Sequence, residues 1–211
     1  TGADPPTIGG CVSANIHGRG LTLPPFAGDI ESFRLIDARG ERVNCSRSEN
    51  AELFRLAIGS YGLFGFIYSV TLRLVPRRKV ERIVEVRPVD GLPAAFASRI
   101  SEGYAYGDFQ FSIDSAAEGF LRDGVFSCYR PLPDTTAIPG GQKALDAAAW
   151  EELLYLAHAV KGGAFTRYAA YYRSTNGQVY WADEQQMSIY PDGYHAAVDR
   201  RTGARLAATE G

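Results

Sequence analysis

Residues 49–76 read ENAELFRLAIGSYGLFGFIYSVTLRLVP, and three kinds of signal follow one another in that run. Ser46 and Glu49 stand at capping-box spacing. Leu53, Phe54, Leu56 and Ala57 then recur at helical intervals, which predicts a short helix at about Asn50 to Ala57, stopped by Gly59. Gly59, Gly62 and Gly65 come every third residue. From Phe66 to Val75 large apolar residues alternate at Phe66, Tyr68, Val70, Leu72 and Leu74, which predicts a strand with that face strongly buried.

Working upstream, Thr7 to Asn15 (TIGGCVSAN) reads as a strand or turn–strand of small residues, and His17-Gly18-Arg19-Gly20 opens a loop that runs through Pro24-Pro25. Phe33 to Asp37 and Glu41 to Cys45 flank Ala38-Arg39-Gly40, a three-residue hairpin connection with glycine last. Downstream of Pro76, Val80 to Val86 alternates as another strand. Leu92 to Ile100 reads as a helix with Pro93 in its first turn, and Asp108 to Ile113 and Val125 to Tyr129 read as paired strands. A breaker-rich loop from Pro131 to Gly141 precedes a helical pattern from Leu145 to Val160, stopped by Gly162-Gly163. Ala164 to Arg173 continues as an aromatic-rich helix, and Gln178 to Trp181 and Met187 to Tyr190 read as short strands. The expected class is α+β in two parts that meet between Pro76 and Pro88.

The 211 residues are 45% hydrophobic and 22% charged, enough to bury a real core, which excludes a disordered tail or a disulfide-stapled mini-protein. A net charge of −2 lacks the basic excess of a nucleic-acid binder. No apolar run approaches the roughly 18 residues of a membrane span; Leu153 to Val160 is interrupted by Tyr155 and His158. Cys11, Cys45 and Cys128 are odd in number and widely spaced, as expected of reduced thiols in the cytoplasm. His17, His158 and His195 have no ligand-spaced partners, so no metal site is expected. The chain starts at Thr1 without a signal-peptide pattern and its only methionine is Met187, which reads as an internal piece of a larger protein.

Two glycine-rich segments are the candidates for chemistry. Gly9-Gly10 with His17-Gly18-Arg19-Gly20 would let backbone N–H groups approach a ligand closely. The pattern lacks the third glycine of GxGxxG, and no Walker A lysine is present. Gly59-Ser60-Tyr61-Gly62-Leu63-Phe64-Gly65 is the second. Taken singly, each segment reads as well or better as tight turns and close packing.

In this order and at this separation, TIGGCVSANIHGRG, LIDARGE and ENAELFRLAIGSYGLFGFIYSVTLRLVP resemble the FAD-linked oxidases of the vanillyl-alcohol-oxidase and p-cresol-methylhydroxylase (PCMH) superfamily. Within it the likeness is to the sugar-lactone, alditol and decaprenylphosphoryl-ribose oxidases. It is strong over Gly2 to Pro76, while DFQFSID and GVFSCYRPL look like the opening of a substrate-binding cap. The resemblance implies the C-terminal half of a PCMH-type FAD-binding domain over residues 1–80, followed over 81–211 by the start of an α+β cap domain.

It also implies site residues. Gly2, Thr7, Ile8, Gly9 and Gly10 would lie against FAD with their backbone. Ala14, Asn15, Ile16 and His17 would line it beside the isoalloxazine, and Ile67 would contact it through its main chain. His17 is the implied catalytic residue, hydrogen-bonding the flavin or a substrate hydroxyl; the covalent flavin histidine of relatives belongs to an earlier segment. Gln110, Asp114, Tyr129 and Arg130 stand on the expected cap strands, where strand pairing is their simplest role.

The implied activity is that of an FAD-dependent oxidoreductase. An alcohol carbon of a sugar, polyol or sugar-lactone-like substrate would give hydride to flavin N5, with oxygen or another acceptor reoxidising the flavin. The catalytic base is not visible, and the 211 residues alone are expected to be inactive. A non-catalytic α+β ligand-binding module with glycine-rich loops, or a flavin dehydrogenase that does not use oxygen, are the alternatives.

Overall fold

The computed structural model describes residues 7–183 and 194–209. The chain divides into two compact units, 1–76 and 77–211. The sheets in both are antiparallel, so the class is mixed α and β of the α+β kind.

The first unit comprises α1 (Ile8–Ser13), a 3₁₀ turn (Phe26–Asp29), β1 (Ile30–Ile36), β2 (Arg42–Ser46), α2 (Ala51–Ala57) and β3 (Phe66–Leu72). Its strands lie in the order β2-β1-β3. The β1–β2 hairpin is fastened by Asp37, whose Oδ1 accepts the N–H groups of Glu41 and Arg39, each at 2.9 Å. The Glu41 N–H is the main reason the Asp37 carboxyl is held below the usual carboxylate range. The core joins Val12, Ile30, Phe33, Leu35, Cys45, Phe54, Ala57 and Ile67, with Phe33 and Phe54 stacked at 5.2 Å.

Three expectations for this unit are corrected. Thr7 to Asn15 is not a strand. Thr7 caps α1 by accepting the Gly10 N–H at 3.1 Å, and Cys11 and Val12 turn inward. Two glycines in so short a helix run against propensity, and tertiary contact overrides it, because only a residue without a side chain fits where Gly9 meets β3. The Ser46–Glu49 pair is a turn ahead of the helix rather than its cap. Ser46 Oγ accepts the Glu49 N–H at 2.9 Å, and α2 starts beyond Asn50, which is left-handed at φ 46°.

The third correction concerns β3. Leu35 pairs with Ile67 and the adjacent Arg34 pairs with Ser69, so Tyr68 is the extra residue of a β-bulge. The apolar alternation is therefore split in two. Before the bulge Phe66 is 70% exposed while Ile67 is buried; after it Val70 and Leu72 pack on the core. Tyr68 itself is exposed. A second shift at Glu31 of β1 keeps Ile30 inward alongside Phe33 and Leu35.

The second unit comprises β4 (Lys79–Pro88), α3 (Leu92–Ser101), β5 (Tyr106–Phe111), β6 (Asp123–Leu132), α4 (Ala147–Tyr155), α5 (Ala164–Ser174), β7 (Val179–Trp181) and α6 (Tyr194–Thr209). Strand order is β5-β6-β4-β7. Successive residues of β6 face opposite sides. Phe126 meets Phe96 of α3 edge to face at 4.8 Å, whereas Val125 packs with Val84, Ala169 and Tyr172 under α5. The expected pairing of Asp108 to Ile113 with Val125 to Tyr129 is the β5–β6 ladder. Asp146 caps α4, accepting the Ala149 N–H at 2.8 Å, and a π-helical turn, Leu156–Val160, carries the helix to its expected end. The strand expected at Met187 to Tyr190 lies outside the described residues.

Arg82 of β4 is 3% exposed. Its guanidinium lies 5.0 Å from the ring centres of Tyr172 and Tyr180 and 5.6 Å from that of Tyr129, and Nη1 donates to Thr175 Oγ1 at 2.8 Å. Its main chain holds the turn between α5 and β7, receiving the Gly177 N–H and donating to the Gln178 carbonyl.

Candidate functional site

The two glycine-rich segments meet in the first unit. Gly59 N donates to the Val12 carbonyl at 3.1 Å and Tyr61 N to the Ser13 carbonyl at 2.9 Å, so the loop after α2 is tied to the last turn of α1. Where they join and run into β3, a pocket of about 740 Å³ opens. From α1 it takes Thr7, Ile8, Gly9, Gly10, Ser13 and Ala14. Tyr61, Gly62 and Gly65 come from the loop, and Phe66 to Val70 from the bulged strand.

Of the ten cofactor positions expected from the sequence, Thr7, Ile8, Gly9, Gly10, Ala14 and Ile67 share this lining. Gly2 lies outside the described residues. Asn15, Ile16 and His17 are not on the lining, and the first two have a structural task. Ile16 N donates to Cys11 O and Asn15 N to Val12 O, with Asn15 at φ 45°, which is a Schellman cap ending α1. His17 follows, exposed, with Nδ1 3.3 Å from the Gly18 carbonyl oxygen. Ile67 turns its carbonyl toward Gly9, so helix and strand main chains come close together at the site.

Tyr61, Phe66 and Tyr68 line the pocket although sequence reading gave them no such role. Tyr61 is 82% exposed and left-handed at φ 52°, an unusual state for an aromatic residue. The signal that hid Phe66 and Tyr68 was the regular alternation of β3, which reads as an inward face.

A planar cofactor fits these residues. The volume lies within the roughly 300–1,000 Å³ of small-molecule sites. A Cβ on Gly62 would meet nothing within 4 Å and one on Gly10 only the Thr7 hydroxyl, so the main chain is open to a ligand at both. Phe66 and two tyrosines supply flat apolar walls. No carboxylate, histidine, lysine or arginine is on the lining. Phenols are the only titratable side chains on the pocket lining.

The described residues include a smaller hollow, about 420 Å³, beside Arg47 and Arg73. Both arginines are engaged there: Arg47 donates to the Ile30 carbonyl at 2.6 Å, and Arg73 pairs with Asp29 at 2.8 Å. Among the described residues no group of three His, Cys, Asp or Glu is placed to hold a metal ion, and no helix is long and apolar enough to cross a membrane.

No family model matches the chain. Individual proteins do. Cytokinin dehydrogenase 4 of Oryza sativa subsp. japonica is 33% identical over 81 residues, 38% of this chain and 15% of that protein. L-gulonolactone oxidase of Bos taurus is 35% identical over 71 residues, 34% of this chain and 16% of that protein. Mitochondrial L-galactono-1,4-lactone dehydrogenase of Arabidopsis thaliana is 34% identical over 73 residues, 35% and 12% of the two chains. The chain therefore spans about a sixth or less of the length of these relatives. All three are members of the FAD-binding PCMH-type oxidase family. Over about a third of its length, the chain is related to the FAD-linked oxidases of the PCMH type.

Proposed function

We propose that this chain is part of an FAD-dependent oxidoreductase that oxidises an alcohol carbon of a sugar, polyol or sugar-lactone-like substrate. In this reading residues 1–80 are the C-terminal part of the FAD-binding domain, and 81–211 open the substrate cap. The observation that carries it is the joining of two glycine-rich segments into one aromatic-walled pocket, in a chain related to FAD-linked oxidases. The lactone oxidases and lactone dehydrogenase among the relatives support the substrate class. Three buried free thiols are in keeping with a reducing, cytoplasmic setting.

Bound FAD would supply the hydride acceptor. The chain's own share is binding and orientation. Gly10 and Gly62 leave main chain open to the cofactor, Tyr61, Phe66 and Tyr68 shield its rings from water, and the Thr7 cap together with the Gly9–Ile67 contact fixes α1 on β3. His17, just beyond the Schellman cap, orients the substrate hydroxyl. With no carboxylate or imidazole on the lining, the group that takes the hydroxyl proton comes from elsewhere in the enzyme.

The test is the full-length product of the gene, purified and examined by visible absorption. A flavin spectrum, FAD released on denaturation, and anaerobic bleaching by a sugar lactone or polyol are expected. A colourless protein that does not take up added FAD would leave the non-catalytic module as the better reading. Oxidases and dehydrogenases both occur among the relatives, so oxygen uptake during turnover decides the acceptor.

A further inference from the structure

We infer that Tyr68 is a cofactor-binding side chain, placed by the β-bulge to lie against the isoalloxazine ring; the inference rests on the flavin reading above. An ordinary strand would give each residue of β3 a fixed side of the sheet. At the bulge the ladder skips Tyr68, since Arg34 pairs with Ser69 and Leu35 with Ile67, and the extra residue is free of the core on one side and of strict alternation on the other. Tyr68 is 41% exposed and lines the pocket. Bulges of this kind re-aim a side chain next to a site.

The neighbours say what kind of ligand it meets. Tyr61 at 82% and Phe66 at 70% exposure stand on the same lining, together with glycines 9, 10 and 62. Three exposed aromatic residues lining one hollow that also has glycines on its lining match a flat, largely apolar ring system, which would cover them and exclude water. FAD carries two such rings, the isoalloxazine and the adenine. The isoalloxazine is the larger flat surface, and so covers more of this aromatic wall.

The experiment compares wild type, Tyr68→Leu and Tyr68→Phe in the full-length protein, stripped of cofactor and titrated separately with FAD, riboflavin and ADP. Loss of an aromatic contact should weaken riboflavin and FAD about 3- to 10-fold in Tyr68→Leu and leave ADP unchanged. Tyr68→Phe should bind within twofold of wild type, because the ring is kept. A phenol in contact also quenches flavin emission, so FAD bound to Tyr68→Leu should fluoresce more brightly than FAD bound to wild type. Weaker ADP with unchanged riboflavin would put Tyr68 at the adenine and overturn the assignment. Equal affinities and equal emission in all three proteins would overturn it as well. If wild type binds neither FAD nor riboflavin, the flavin reading itself fails and takes this inference with it. Equal melting temperatures of the three proteins are expected, since the side chain is outside the core; a Tyr68→Leu protein that unfolds early and regains nothing as Tyr68→Phe would make the residue structural and overturn the assignment.

Discussion

The carbonyl oxygen of Ile67 lies 2.5 Å from the point that a β-carbon on Gly9 would occupy. Real Cβ atoms do not come that close, and both partners are main chain, so neither can swing aside. Gly9→Ala must therefore lift α1 off β3. The gain in helix propensity, about 1 kcal/mol, is smaller than the overpacking penalty of about 1–3 kcal/mol. We expect a net loss of up to about 2 kcal/mol in urea unfolding, with weaker ligand uptake by the pocket. Gly18→Ala is the control, because a Cβ there meets nothing within 4 Å. A Gly9→Ala protein as stable as Gly18→Ala would show that the helix has room to move.

Arg82 tests the second unit. Its cation is enclosed by the rings of Tyr129, Tyr172 and Tyr180, Nη1 donates to Thr175, and its buried Nε has no hydrogen-bond partner among the described residues. Packing against rings is then a large part of what the residue contributes. Arg82→Ala opens a cavity and should cost about 3 kcal/mol. Arg82→Met keeps the volume without the charge and should cost about 1 kcal/mol or less. Thermal melts followed by near-ultraviolet circular dichroism of the tyrosines measure both. Equal damage from the two variants would mean that charge, not volume, is what the cage needs.

Cys128 gives a pH dependence. Burial pushes its thiol up to about 12, whereas an unfolded thiol titrates near 8.5. The folded form therefore holds its proton where the unfolded chain has lost it. Stability from this group is complete below about pH 8.5 and declines as pH rises toward 12. In urea titrations between pH 8 and 11, wild type should lose stability more steeply than Cys128→Ala. At pH 8.5 iodoacetamide should label Cys128 only as fast as the protein opens. Rapid stoichiometric labelling of the native thiol would contradict this.

His17 stands three residues past Ala14 and off the pocket lining, so His17→Ala should retain FAD. Flavin reduction by substrate should nonetheless slow by about 10- to 1000-fold if the imidazole orients the hydroxyl. Anaerobic stopped-flow absorbance isolates that step from reoxidation. An unchanged rate with FAD still bound would leave His17 as a loop residue only.

The hairpin around Asp37, the helix after Ser46, the β5–β6 pair and helices α4 and α5 were legible, because each is written in local spacing and turn chemistry, whereas α6 was not. What escaped reading is set by distant partners. Nothing in Tyr68 itself announces a bulge; the register shift exists only in its pairing with β1. Likewise Gly9-Gly10 reads as turn material until Thr7 caps the segment and Ile67 crowds it into a helix. At the site, Thr7 to Gly10, Ala14 and Ile67 were reached through resemblance. Phe66 and Tyr68 were not, because apolar residues at strand spacing read as core, and Tyr61 was not, because its glycine-rich segment read as tight turns.

The bulge in β3 also separates two kinds of inheritance. Deleting Tyr68 would leave a strand of regular alternation, in which Ile67, Val70 and Leu72 fall at every second residue. Those three would still face the core, opposite Leu35, Phe33 and Ile30, and only the pocket would lose part of its wall. Replacing Tyr68 likewise leaves every inward residue where it is. The register of the core is thus inherited without reference to this residue, while the chemistry of the pocket turns on it. A lineage can retune what this pocket holds, one side chain at a time, without renegotiating the fold beneath.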